Sequence, residues 1–348
     1  MNTRVFTFLM AALLCLAASA RGDEPGTGET FKKRYIWQPG MTTYYRHTST
    51  SESSTSADDR EPPAKSTTTM LVRQEVYSVK DDGTGRVAIT LTQVRNESTD
   101  RKGDKRIFDS REPDKSDPDA RKVYGAMAGR TFIMEITPDG RMLRMEGVQE
   151  MVDAMFGSMG ELKEVATQPM MQKMRKSMEE TISQASAIGV AAQPQGRRIG
   201  EEWTNETNTP AMMFGEMTGK TVYKLESVDT VDGRRIMTTR STGERKMKPA
   251  PEPSSAQKPT PGEFRVPFPK MQGQAVASGV EVFDLDRGRL IRSEDFQDMT
   301  GSMTITMPDI TGRDRNAKKT ETHPMKSKSS TVIELVRPED PLIPDKLK

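Results

Sequence analysis

The chain is poor in the residues that most often announce chemistry. It has 348 residues but one cysteine, two histidines and two tryptophans. The cysteine, Cys15, lies within the apolar run that opens the chain. The remainder therefore supports no disulfide framework, no cysteine zinc site and no cysteine nucleophile. Charge of one sign is lacking too: 52 basic residues face 50 acidic ones. Such a balance leaves no footprint for nucleic acid or an anionic membrane. The basic runs at 102–106 and 318–328 interleave with acids and lack the aromatics that stack on bases. Gly-x-Ser-x-Gly, His-Glu-x-x-His, Gly-x-Gly-x-x-Gly and a phosphate loop are all missing. His47 and His323 sit in polar text and read as surface residues, and Glu201-Glu202 reads as a chance acidic pair. The expectation is a non-enzyme with no catalytic residue, no cofactor and no metal ligand set.

Long apolar runs are missing as well, with one exception. Met1-Asn-Thr-Arg4 precedes an apolar stretch from Val5 to Ala18, and Ala18-Ser19-Ala20 fits a small-x-small cleavage site. Residues 1–20 thus read as a signal peptide, too short to favour a membrane span. A lipoprotein signal needs a small residue before its cysteine, and Leu14 stands there instead. The expected location is periplasmic or extracellular, with no transmembrane segment after cleavage.

What is present is alternation. Phe132, Met134 and Ile136 share one face of a strand, Pro138-Asp139-Gly140 makes a turn, and Arg141 to Glu146 returns. A near copy of this hairpin runs from Val280 to Ser293 around Gly288-Arg289. Further hairpins are expected at Thr67–Val94, turning at Asp81 to Gly85, and at Thr221–Thr242, turning at Asp232-Gly233. Thr331 to Val336 reads as a last short strand. Residues 49–66, 96–120, 245–263 and 309–328 read as polar loops.

Between the halves the period changes. Val148, Met151, Val152, Met155, Phe156 and Met159 recur at helical spacing. A second helix is expected over Pro169–Ile188, with Met170, Met171, Met174, Met178 and Ile182 in one stripe. The chain has 25 methionines. The stripe has three readings: core filling, a pliable apolar groove lined by Met151, Met155, Met159, Met170, Met174 and Met178, or thioether ligands for soft Cu(I).

The expected fold is α+β. A curved antiparallel sheet or incomplete barrel, built of two similar halves each entered by a tryptophan (Trp37, Trp203), is covered on one face by the Met-rich helices. The expected organisation is a signal peptide at 1–20, a flexible stretch at 21–30, a single domain at 31–338 and a tail at 339–348. The halves are 31–147 and 200–338, with the helical insert at 148–192. Asn96-Glu-Ser and Asn205-Glu-Thr match the glycan acceptor pattern.

The order Tyr35-x-Trp37-x-Pro39-Gly40, Gly129-x-x-Phe132 with Pro138-x-Gly140, Gly200-x-x-Trp203, then Gly288-Arg289-Leu290 with Ser293 resembles a family of exported bacterial proteins. It is the domain-of-unknown-function family numbered 6263, seen in planctomycete-like bacteria. The likeness spans roughly residues 30–337. The approach to Gly200 departs from it, reading Ala-Gln-Pro-Gln-Gly-Arg-Arg-Ile here. The resemblance implies export and a β-rich body and brings no activity. Three functions stay open: a protein holding an apolar ligand or lipidated partner between sheet and helices, a cell-envelope structural or interaction protein, and an unrecognised hydrolase. The partner is unknown, with lipid or an envelope protein as the candidates.

Overall fold

The computed structural model describes residues 19–21, 28–55, 62–147, 149–151, 153–154, 195–210, 215–249, 270–308 and 318–337. Among the described residues thirteen strands form one sheet. They are β1 (Ser19–Arg21), β2 (Thr42–Ser54), β3 (Ala64–Val79), β4 (Gly85–Thr99), β5 (Lys105–Asp109), β6 (Thr131–Ile136) and β7 (Met142–Glu146). Then follow β8 (Glu202–Pro210), β9 (Gly215–Val231), β10 (Arg234–Pro249), β11 (Lys270–Asp284), β12 (Arg289–Pro308) and β13 (Lys318–Val336). A short helix, α1 (Pro118–Tyr124), carries its N-cap at Asp117, whose carboxylate accepts from the Asp119 and Ala120 amides.

The ladder is antiparallel throughout and runs β1-β8-β9-β10-β11-β12-β13-β2-β3-β4-β6-β7, with β5 also on β4. Two meanders are thus joined by one long-range pairing, β13 with β2, in which Ile333 faces His47 and Thr331 faces Ser49. The ladder does not close into a barrel. Five strands exceed 15 residues, and β12 reaches 20. These lengths lie well beyond the usual strand.

A long sheet with one apolar face must bury it, and this one does so by curling. One core cluster takes side chains from both meanders: Val72, Val87, Phe132 and Met134 from one, Leu225, Met237, Phe283 and Leu290 from the other. The bulges at 71/72, 76/78, 135/136, 238/239 and 282/283 all lie toward this end of the strands, where added twist tightens the curl.

The segment 31–40 straps that end. Phe31 and Arg197 exchange backbone hydrogen bonds of 2.7 and 2.8 Å. The Tyr35 amide donates to Pro138 O at 2.7 Å, and the Ile36 amide to Gly288 O at 3.1 Å. Tyr35 stacks on Trp37 at 5.0 Å and meets the Phe283 ring edge-on at 5.3 Å. The strap thereby binds the two Gly-Arg hairpins to each other. Gly85 leaves the space that Trp37 fills, because a Cβ there would lie 2.5 Å from the ring.

The central hairpin folds as its sequence indicates, with Gly140 at φ +87° in the turn. Other expectations need correction. The expected loop at 96–120 contains the end of β4, all of β5 and the start of α1, because Phe108 supplies a fully buried anchor. Within the expected loops at 49–66 and 309–328, residues 49–54, 64–66 and 318–328 are strand. Ser49, Ser51 and Ser66 are buried there, so polar residues line the inside of the sheet rather than a solvated loop. The last strand is 19 residues long, not a short one at Thr331–Val336. The expected Pro-rich loop starts within β10, which continues to Pro249. Trp37 lies in the strap and Trp203 in β8, so the equivalence of two halves finds no counterpart in the elements that carry them. Of the expected helices, residues 149–151 and 153–154 are helical, and the rest lies outside the described residues.

Gly288 sits at φ +59°, and a Cβ on it would run into the Ile36 backbone amide. Gly288→Ala should therefore cost about 2–4 kcal/mol, from left-handed strain and the clash together. Urea unfolding followed by tryptophan fluorescence measures it, and an unchanged midpoint would separate the strap from the hairpin.

Candidate functional site

Residues opposite each other on paired strands share a face, so the register maps the inner surface row by row. Nearest the strap the inner side is apolar. The next row runs Leu225, Thr239, Glu281, Ser293, Ile333, His47 and Met70 across β9 to β3. Another runs Trp203, Tyr223, Ser241, Gly279, Asp295, Thr331, Ser49, Thr68 and Asn96 across β8 to β4. Farther from the strap, Met217, Met247, Met271 and Met325 form a second cluster, with Met299 and Met303 packed against it. The inside thus has two apolar ends and a polar middle.

The polar middle is electrostatically tense. Lys33, from the strap, is only 2% exposed and meets the Glu281 carboxylate at 2.6 Å, with the glutamate side chain 12% exposed. Burial raises the Glu281 pKa, and Lys33 pulls it back in part. Burial also lifts Asp295 to about 6, with Arg245 opposing the shift and Glu281 adding to it. Ser293 donates to the Asp295 carboxylate at 3.4 Å. Tyr223, stacked on Trp203 at 5.5 Å, is pushed up to about 12 by burial. Asn205 lies beside its hydroxyl, though short of full hydrogen-bond geometry. Burial lowers His47 to about 4, so it is neutral at physiological pH.

These groups are walled in yet not sealed. His47, Tyr223, Glu281, Asp295 and Thr331 are only half-buried, although each points into the curl. The Thr239 hydroxyl is buried without a hydrogen-bond partner. The polar middle is therefore a partly exposed stretch of the inner face rather than a sealed core.

Of the six methionines expected to line a groove, Met151 is buried in the main core cluster. Met155, Met159, Met170, Met174 and Met178 lie outside the described residues. Neither histidine is a loop surface residue. His47 faces the interior from β2, and His323 sits on β13 opposite Met303. Asn96 is 1% exposed and donates to the Ser66 and Thr68 hydroxyls, and Asn205 is equally buried, so neither sequon is open to a glycan in the folded chain. Sequence reasoning missed Asp295, Glu281, Lys33 and Tyr223. Their only signal was alternation inside stretches rich in Lys, Glu and Ser. Among the described residues no group of His, Cys, Asp and Glu is placed to hold a metal, and no helix is long and apolar enough to cross a membrane.

Residues 82–251 match the family of unknown function DUF6263. The matched stretch opens in the β3–β4 turn and ends just past β10, so it holds the central hairpin, Trp203, Tyr223 and Arg245. It is narrower than the 30–337 span of the motif likeness, and the strap and β11–β13 fall outside it. No curated protein matches the chain. Among solved structures, lipovitellin, studied for lipid–protein interactions, is 9% identical at a TM-score of 0.40, covering 86% of this chain and 25% of its own. This chain therefore spans about a quarter of that one. Salmonella typhi OmpF in complex with daunomycin is 8% identical at a TM-score of 0.20, covering 84% and 98%. At these scores neither likeness carries an argument.

The folded Asp295 holds its proton up to about pH 6, against 3.8 for an ordinary aspartate. The folded state binds more protons in that window, so stability falls as pH rises from about 4 to 6. His47 acts oppositely: its contribution is present above its ordinary 6.5 and is lost as pH falls toward 4. Asp295→Asn isolates the first effect. Above pH 6 it should stabilise by on the order of 1–2 kcal/mol, allowing for partial exposure, and the gain should vanish near pH 4. Urea midpoints across that range measure the difference, and a pH-independent difference would contradict the assignment.

Proposed function

We propose that the protein is an exported, non-enzymatic binding protein that holds an amphiphilic ligand inside the curled sheet. The observation that carries this reading is the partly exposed polar stretch of the inner face between two apolar clusters. An amphiphile's apolar part fits against Tyr223, Met70 and Met299, which are partly buried on the inner side. Its polar part fits the Asp295, Arg245, Thr331 and Ser329 stretch. Methionine suits the first role because its unbranched thioether adapts to an irregular partner. Pockets that take small molecules have this composition, mostly apolar with a few converging polar groups.

Binding is favoured over catalysis by spacing. Ser293 and His47 share a row, but Ile333 lies between them. Two strand spacings separate the pair by roughly 10 Å, too far for a hydroxyl to reach an imidazole base. Export rests on residues 1–20, whose pattern is that of a secretory signal.

The test is native mass spectrometry of protein purified from the organism that makes it, followed by denaturing extraction. The expected result is about one co-purified amphiphile per chain. Ser329→Trp, which places a large ring in the polar middle, should lose that mass while keeping the far-UV spectrum of the parent. A bare mass for the parent from gently lysed cells would contradict the proposal.

A further inference from the structure

The second apolar cluster has a composition that packing does not require. Each of its six side chains is methionine: Met217, Met247, Met271, Met299, Met303 and Met325. The main core, by contrast, is built mostly of Val, Ile, Leu and aromatic residues. Branched aliphatic side chains fill a static core with better-defined shapes, so a cluster restricted to thioethers calls for another reason.

The register supplies one. Met271, Met303 and His323 are consecutive neighbours across β11, β12 and β13. The adjacent row reads Met217, Met247, Gly273, Gly301 and Met325 across β9 to β13. Gly273 and Gly301 thus form a floor bare of side chains in the midst of the methionines. A Cβ on Gly273 would lie 2.7 Å from Thr300 O, so the bare floor is also enforced by the close approach of the strands. Thioethers from the flanking rows can converge over it. His323 and Met325, two residues apart on β13, share the inner face at its edge. The His323 Nε2 lies 3.5 Å from the Glu321 carboxylate, on the same face of β13.

We propose that Met271, Met303, Met325 and His323 form a site for a soft monovalent metal ion, Cu(I). Thioether sulfur is a soft, neutral donor that selects Cu(I) over Zn(II), Mg(II) and Ca(II), and a single imidazole is a common companion ligand for copper. The four proposed ligands are neutral donors, which suits a singly charged ion, and the Glu321 carboxylate beside His323 can balance its charge. The site stands at the opposite end of the inner face from the strap. It does not depend on the ligand proposed above, whose polar contacts lie in the middle rows.

The test uses the full purified chain, reduced copper, and a chromophoric Cu(I) chelator as competitor, with Ag(I) as a redox-inert probe in native mass spectrometry. The expected result is one ion retained per chain against the chelator. The X-ray absorption spectrum should show sulfur neighbours together with one imidazole nitrogen. Met303→Leu combined with Met325→Leu conserves volume and should leave the fold intact while weakening retention by about tenfold or more. His323→Ala should remove the nitrogen signature. Met145→Leu, on β7 at the far edge of the sheet, should retain the ion like the parent. Loss of all copper to the chelator, or a double leucine variant that binds as the parent does, would overturn the proposal. A bare mass in the amphiphile experiment together with Ag(I) retention here would sink the binding-protein reading alone.

Discussion

A single sheet has two faces, and among the described residues no second layer covers either, so curvature takes one of them out of water. That constraint shapes the described fold. It explains why strands from both meanders share one core, why the bulges gather at one end, and why a non-strand segment crosses that end. The strap supplies Tyr35 and Trp37 as filling and uses backbone amides to tie the turns at Pro138 and Gly288. It acts as the staple that converts a long ribbon of hairpins into a curl with an inside.

The curl also explains the odd composition of that inside. Strands of this length extend well past the zone where the strap and the aromatic core can fill the centre. Beyond it the opposing walls carry Ser, Thr, Gly and Asn, with Glu281, Asp295 and His47 among them. Buried ionisable groups are costly unless paired, and here Lys33 and Glu281 form a close ion pair within these rows. The rest tolerate enclosure because they are half-accessible, or, like His47, because they remain neutral. A core built for stability alone would have replaced them with branched aliphatics, so function is the more economical explanation of their retention.

Much of the sheet was legible in the sequence, because period-two alternation and Gly-containing turns are local signals. Phe132, Met134 and Ile136, the Asp232-Gly233 turn and the Gly288 turn all fold as their spacing indicates. The Ser-, Thr- and Lys-rich stretches misled for a physical reason. Polarity marks a loop only when strands have a dry side, and β2 and β13 instead face an interior that is itself polar. Lys326 and Lys328 alternate with Ser327 and Ser329 along β13, a strand signal hidden by the absence of apolar residues. The candidate site was hidden for the further reason that its parts come from the strap and from strands far apart in the chain. The pairing of β13 with β2 places Ile333 opposite His47, and no local pattern announces that. The methionine signal pointed to helices, whereas the described cluster lies on strands, where glycines leave room for it.

The central claim is that the middle of the curl is an accessible space, and the scarcity of cysteine makes it directly measurable. With Cys15 replaced, a single Thr331→Cys chain should react with a small, polar thiol reagent in the folded state, more slowly than an exposed outer-face cysteine at Val276. It should also be shielded from bulky reagents. A Thr331→Cys thiol inert to the small reagent until the chain is unfolded would show a filled core and contradict the account.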